Sequence, residues 1–205
     1  MIDRTRRILI RHFAVAVVAL GFAASLDAQT PATPSTQAPA ATSAQAPAAP
    51  SAQPQEWKTY SYPEDGFSAS YASKPEVQKK DVPTAVGTFE LRAYLAQQGE
   101  AALFVGVCDY GSAVATRDPN EVLDGAQEGA ISNVSGHLIS GKKITLGTYP
   151  GREFEAENDS MHFSARIYLV GTTLYQTLTA APLGKPFASA TRFLDSFQLI
   201  ARVKN

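Results

Sequence analysis

From Trp57 onward, apolar and polar positions alternate by twos, except where they switch to a period of four. "WKTYSY", "PEDG" and "FSASY" predict strand, turn and strand, because Phe67, Ala69 and Tyr71 alternate after the Pro/Asp/Gly punctuation. A loop is expected through Pro75 and Pro83. "VGTFELRAYLA" and "AALFVGVCDY" then read as an antiparallel pair around Gln97-Gln98-Gly99-Glu100. Phe89, Leu91, Ala93 and Leu95 on the first run, and Leu103, Val105 and Val107 on the second, alternate as half-buried strands do.

The period changes in "RDPNEVLDGAQEGAISNV". Asp118 stands as a cap, Pro119 at the first helical position and Glu121 three residues after the cap, which is how helices begin. Val122, Ala126, Ala130 and Val134 then form one apolar stripe, and the Gly125/Gly129 spacing implies close packing on a sheet. Strands return in "HLISGKKITLGTY" and in the run from Thr148 to Leu178. "KPFASATRFLDSFQLI" closes the chain with Phe187, Ala190, Leu194 and Phe197 on one helical face, followed by a short strand or tail. This order of elements predicts an α+β domain, an antiparallel sheet with helices packed on it, over residues 57–205.

The run from Thr148 to Leu178 holds the chain's chemically capable side chains. A turn at Asn158-Asp159 sets Glu155 opposite His162, Glu153 opposite Ser164 and Gly151 opposite Arg166. A second turn at Gly171-Thr172 sets Tyr168 opposite Tyr175. Alternation puts Phe154, Ala156, Phe163, Ala165 and Ile167 on a core face. Glu153, Glu155, His162, Ser164, Arg166, Tyr168, Tyr175 and Thr177 fall on the other. Two accounts suit that second face. One is cross-strand charge pairs, each worth roughly 0.2 to 1 kcal/mol. The other is a polar and aromatic binding surface of Glu153, Glu155, His162, Arg166, Tyr168 and Tyr175 for a peptide or a small polar ligand. Pro150-Gly151 is expected to bend or bulge the strand entry. Arg152 falls on the core face at the strand end, where its long side chain can snorkel outward.

The front of the chain belongs to a different category. Arg4, Arg6, Arg7 and Arg11 precede an apolar run from Phe13 to about Leu26 and then small residues, the layout of a secretory signal peptide over residues 1–28. The run is shorter than the roughly 20 residues of a stable membrane span. Cleavage is expected after Ala28, or alternatively after Ser25. Arg6-Arg7 also fits the twin-arginine export pattern, which transports folded proteins. Either route places the mature protein in the periplasm or outside a bacterium. Residues 29–56 follow as an Ala/Pro/Thr/Gln-rich linker, uncharged up to Gln55, with nothing to bury against the entropy of ordering. Its end-to-end reach as a flexible coil is about 26 to 31 Å. The linker would act as a tether to the membrane only if the signal is left uncleaved.

Composition removes several function classes. Of 18 Lys+Arg and 19 Asp+Glu, the signal carries four arginines and two aspartates, which leaves 14 against 17. Nucleic acid and anionic lipid call for a basic surface, which this is not. Cys108, the single cysteine, forms no internal disulfide and reads as a small buried residue. The mature chain has two histidines, His137 and His162, and no convergent metal-ligand spacing. GxSxG, CxxC, HExxH and glycine-rich phosphate loops are absent from the sequence. No cofactor, metal or catalytic residue is therefore expected.

Taken in order, "DGFSASY", the strand pair, the helix after Asp118-Pro119, "YPGREFE", "RIYLVGTTLYQTL" and "FLDSFQL" resemble the PsbP-like superfamily in its bacterial exported branch, over about Trp57 to Leu199. The resemblance implies an α/β/α sandwich with helices on both faces of a central antiparallel sheet, and a non-enzymatic role as an extrinsic subunit, assembly factor or binding protein. No site residue of that family carries over, and the Ala/Pro tether is not part of its pattern. The leading expectation is a monomeric accessory protein acting on a protein partner in the cell envelope. The alternative is a small-molecule or metal-binding protein using Glu153, Glu155, His162 and Arg166, and a hydrolase with a non-standard site stands third. A protein partner predicts an exposed aromatic patch at Tyr168 and Tyr175. A ligand site predicts a concave pocket, and a hydrolase predicts a nucleophile beside a base.

Overall fold

The computed structural model describes residues 56–84 and 87–203. The expected signal peptide and all of the linker but Glu56 lie outside these. The N-terminal hairpin forms as the pattern predicts, from β1 (Lys58–Tyr62) and β2 (Phe67–Tyr71). It is not part of the main sheet. With β10 (Gln198–Leu199) it makes a small sheet of order β1-β2-β10. The main sheet contains β3 (Glu76–Thr84), β4 (Gly87–Gln98), β5 (Ala101–Asp109), β6 (His137–Leu146), β7 (Tyr149–Glu157), β8 (Met161–Val170) and β9 (Thr173–Pro182). Its order is β3-β4-β5-β9-β8-β7-β6, antiparallel throughout.

Two expectations about strands change. The segment after Pro75 is not a loop: β3 pairs with β4 from Glu76↔Leu95 to Thr84↔Gly87. It lies at the sheet edge, where exposed Lys79, Lys80 and Asp81 together with Pro83 discourage further pairing and hide the alternation. β5, in contrast, is not half-buried. It is an interior strand with both faces covered, so Phe104 and Cys108 enter one core while Leu103, Val105 and Val107 enter the other. Burial pushes the Cys108 thiol up to about 11, which leaves it protonated and unreactive at neutral pH.

One face of the sheet is covered by α1 (Pro119–Asn133). Asp118 caps it, accepting from the Asn120 amide at 2.7 Å and the Glu121 amide at 3.4 Å. The helix buries Val122, Leu123, Ala126, Gly129 and Ala130 in the core that holds Phe154, Phe163 and Ile167. Arg152 does not snorkel outward. It is 4 % exposed, with Nε donating to Asp124 Oδ1 at 2.8 Å and Nη2 to Asn120 Oδ1 at 3.2 Å, so the helix itself brings the partners that hold the buried guanidinium.

The opposite face is covered differently from the two-sided helical sandwich that the resemblance implies. The small sheet lies there with α2 (Ala190–Asp195), a helix of only six residues. Phe67, Ala69 and Tyr71 of β2 join Phe193, Leu194 and Phe197 over Tyr94, Leu103, Val105, Val107, Tyr168 and Tyr175. The expected four-position stripe from Phe187 to Phe197 cannot form on so short a helix, because pairing of Gln198 with Ser68 draws the chain back into a strand. Phe193, which that stripe omits, is fully buried.

Asp65, in the turn between β1 and β2, fastens the two sheets together. It is 1 % exposed, pairs with Arg92 and accepts from the Tyr94 hydroxyl, while the Tyr175 hydroxyl donates to its backbone carbonyl at 2.7 Å. Burial, followed by the adjoining Asp65 carboxylate, raises the Tyr94 phenol far above its ordinary value and keeps it a donor.

Candidate functional site

The candidate residues sit on β7, β8 and β9, on the face turned toward α2. The first hairpin turns at Asp159-Ser160 rather than Asn158-Asp159. The Asn158 amide donates to the Met161 carbonyl at 3.0 Å, and Asn158 Oδ1 accepts from the amides of Ser160 and Met161 at 3.0 and 2.9 Å. A side chain that mimics a backbone turn has therefore moved the hinge. The register becomes Glu157↔His162, Glu155↔Ser164, Glu153↔Arg166 and Gly151↔Tyr168. A slide of two residues changes partners and leaves every side chain on its expected face. The second turn is as read, with Tyr168↔Tyr175 and Leu169↔Leu174.

Gly151 stays in the ladder and makes no bulge; the irregularity falls on β6 between Leu138 and Ser140. A Cβ on Gly151 would lie 2.5 Å from the Ile167 carbonyl oxygen and 2.6 Å from the Tyr168 ring. The glycine is needed for that close approach.

Two groups of charges result. In the first, Lys142 Nζ lies 2.6 Å from Glu153 Oε1, Arg166 Nε donates to Glu153 Oε2 at 2.6 Å, and Arg166 Nη1 donates to Asp195 Oδ1 at 2.7 Å. This chain of alternating charge joins β6, β7, β8 and α2. The hydrogen bond from Lys142, with that from Arg166, holds the Glu153 carboxyl below its ordinary range. A depressed folded value means that the stabilisation is complete above the unfolded carboxyl range, near about pH 4.3, and is lost as pH falls through the folded value. Thermal unfolding of the protein beside Glu153→Gln is expected to show a gap in Tm at pH 7 that closes on acidification. A gap of constant size down to about pH 3 would contradict this assignment.

The second group centres on His162. Its Nδ1 lies 2.9 Å from Glu157 Oε1 and its Nε2 2.7 Å from Glu155 Oε2, which also accepts from the Ser164 hydroxyl at 2.7 Å.

Tyr168 and Tyr175 are not an exposed aromatic patch. They are 5 % and 3 % exposed, Tyr168 stacked on Phe197 at 5.9 Å between ring centroids and Tyr175 bonded to Asp65. The small sheet and the segment around α2 cover that end of the face. Of the six candidates, the structure therefore brings Glu153 to Arg166 and Glu155 to His162, and takes both tyrosines into the core.

The other end of the face is open. A cavity of about 320 Å³ lies between the sheet and the segment joining β9 to α2. Glu157, His162, Ser164 and Thr179 line it from the sheet, Leu183 and Phe187 from the connecting segment, and Ala190 from the start of α2. Sequence reasoning missed Thr179 and Phe187 as site residues. Thr179 was within reach of the alternation, since it follows Thr177 by two on β9 and pairs with Ser164.

The Ser164 hydroxyl beside Glu155 is a nucleophile within reach of a carboxylate. Glu155 Oε2 is shared between the Ser164 hydroxyl and His162 Nε2, each 2.7 Å away. β8 is an interior strand whose backbone donors serve the ladder on both sides, so it offers no amides to a developing oxyanion. Among the described residues, no cluster of three or more His, Cys, Asp or Glu is arranged to hold a metal ion, and no helix is long and apolar enough to cross a membrane.

No protein-family model matches the chain, and no curated protein matches it. Among solved structures it is similar to the solution structure of cyanobacterial PsbP (CyanoP) from Synechocystis sp. PCC 6803. The sequence identity is 14 %, the match covers 74 % of this chain and 97 % of that chain, and the TM-score is 0.46.

Proposed function

We propose that the protein is an exported, non-enzymatic binding protein of the bacterial cell envelope, whose site is the pocket beside His162. The observation that carries this reading is the contrast along one sheet face. Its charged groups are engaged with one another, while the adjoining cavity is lined by Thr179, a residue only 2 % exposed, and by apolar side chains. Pockets of this kind, largely apolar with a few convergent polar groups, are where small ligands bind. The signal-like start and the uncharged linker support export and a reach away from an attachment point. The architecture is read as a variant of the α/β/α sandwich in which a small sheet takes most of one helical layer.

A protein partner docked on Tyr168 and Tyr175 requires rings that are buried here, so the reading moves from that surface to the cavity. The test is a thermal-shift screen of chemically varied small molecules against the purified full-length protein, run beside ester, peptide and glycoside hydrolysis assays. Saturable stabilisation by at least one compound, abolished in Ala190→Trp, is expected, since a ligand that binds only the folded state raises Tm. Hydrolysis that disappears in Ser164→Ala would overturn the non-enzymatic reading.

A further inference from the structure

The donors and acceptors around the cavity are unevenly used. Both ring nitrogens of His162 face carboxylates, Glu157 and Glu155, the Ser164 hydroxyl donates to Glu155, and Lys185 Nζ at the rim lies 2.7 Å from Glu100. The polar groups of His162 and Ser164 are thus engaged inside the protein. Acceptors are left over: Glu157 Oε2, whose partner oxygen alone meets His162, the lone pairs of Ser164, and the Thr179 hydroxyl, which can accept as well as donate. Thr179 is 2 % exposed and lines the cavity. Charge points the same way. Two carboxylates flank one imidazole and leave a net negative charge at the polar end, while Lys185 is balanced by Glu100.

The remaining wall is apolar. Ala181, Pro182, Phe187 and Ala190 line it, and Leu183 stands at the cavity 46 % exposed. A ligand that complements this site brings hydrogen-bond donors and positive charge at one end and an apolar body at the other. Resting on the pocket reading above, we infer that the ligand is a small amphipathic cation, an amine head on an aromatic or branched apolar body. The head faces Glu157 and Thr179, and the body lies against Phe187 and Pro182.

Three probes of one shape separate this from a merely apolar cavity: 2-phenylethylamine, 2-phenylethanol and phenylacetate, titrated calorimetrically into the full-length protein. The amine is expected to bind at least about ten-fold more tightly than the alcohol or the acid, the scale of a charge-assisted hydrogen bond. Glu157→Gln, which keeps an oxygen for His162, is expected to remove that preference while leaving the affinity for the alcohol unchanged. Thr179→Val is expected to weaken the amine with CD spectrum and Tm preserved. Equal affinities, a preference for the acid, or no binding of the amine would overturn the cationic inference. Those results leave the binding reading standing if the thermal-shift screen finds another ligand, so the two failures are distinguishable.

Discussion

Asp65→Ala is expected to lower the stability of the domain by about 3 kcal/mol or more, with a fall in Tm on the order of 10 °C. The carboxylate is 1 % exposed and lies between Arg92 and the Tyr94 hydroxyl; without it Arg92 keeps only the longer contact to Glu90 at 3.7 Å, and the hydroxyl loses its acceptor. Breaking a buried pair from one side leaves the other charge desolvated, which costs far more than the net worth of the pair. Asp65→Asn keeps an acceptor for Tyr94 and is expected to recover part of the loss. Urea unfolding measures both variants, and a loss below about 1 kcal/mol for the alanine variant would mean that this contact does not fasten the sheets.

Phe193→Ala is expected to cost about 3 to 5 kcal/mol, the range for truncating a buried aromatic ring. Phe193 is fully buried against Tyr71, with ring centroids 5.2 Å apart, and is the main anchor of a helix of only six residues. The same helix begins at Ala190, which lines the cavity. The variant is therefore expected to weaken ligand binding as well as stability, unlike Asp65→Ala, whose contacts lie at the other end of the face. Urea unfolding and a titration of the folded variant separate the two effects. Full stability would show that α2 is held by its flanks and not by Phe193.

The elements that sequence makes legible are those whose signal is local. The α1 start at Asp118-Pro119, the β1–β2 hairpin and the Gly171-Thr172 turn each follow from a few adjacent residues. The partition of β7 to β9 into two faces follows from period-two alternation, and it survives the register error because a two-residue slide preserves sidedness. What is not legible depends on where a strand lies in the sheet. β3 reads as a loop because an edge strand shows charged residues on both sides, and β5 reads as half-buried because the two layers that cover it come from distant segments. The covering of Tyr168 and Tyr175 depends on α2 and the small sheet folding back over them. The pocket is a product of the same fold-back, and so the alternation identifies His162 and Ser164 without Phe187 or Ala190.

The central claim is that the cavity beside His162 is a binding site. The most direct test is a methyl-detected NMR titration of the full-length protein with 2-phenylethylamine. The account predicts saturable shifts at the methyls of Thr179, Ala181, Leu183 and Ala190, with Leu91 and Val122 in the opposite core unmoved. Shifts confined to Val170 and Leu199, which line a separate depression near Tyr175, or no saturable shift at the cavity methyls, would contradict it.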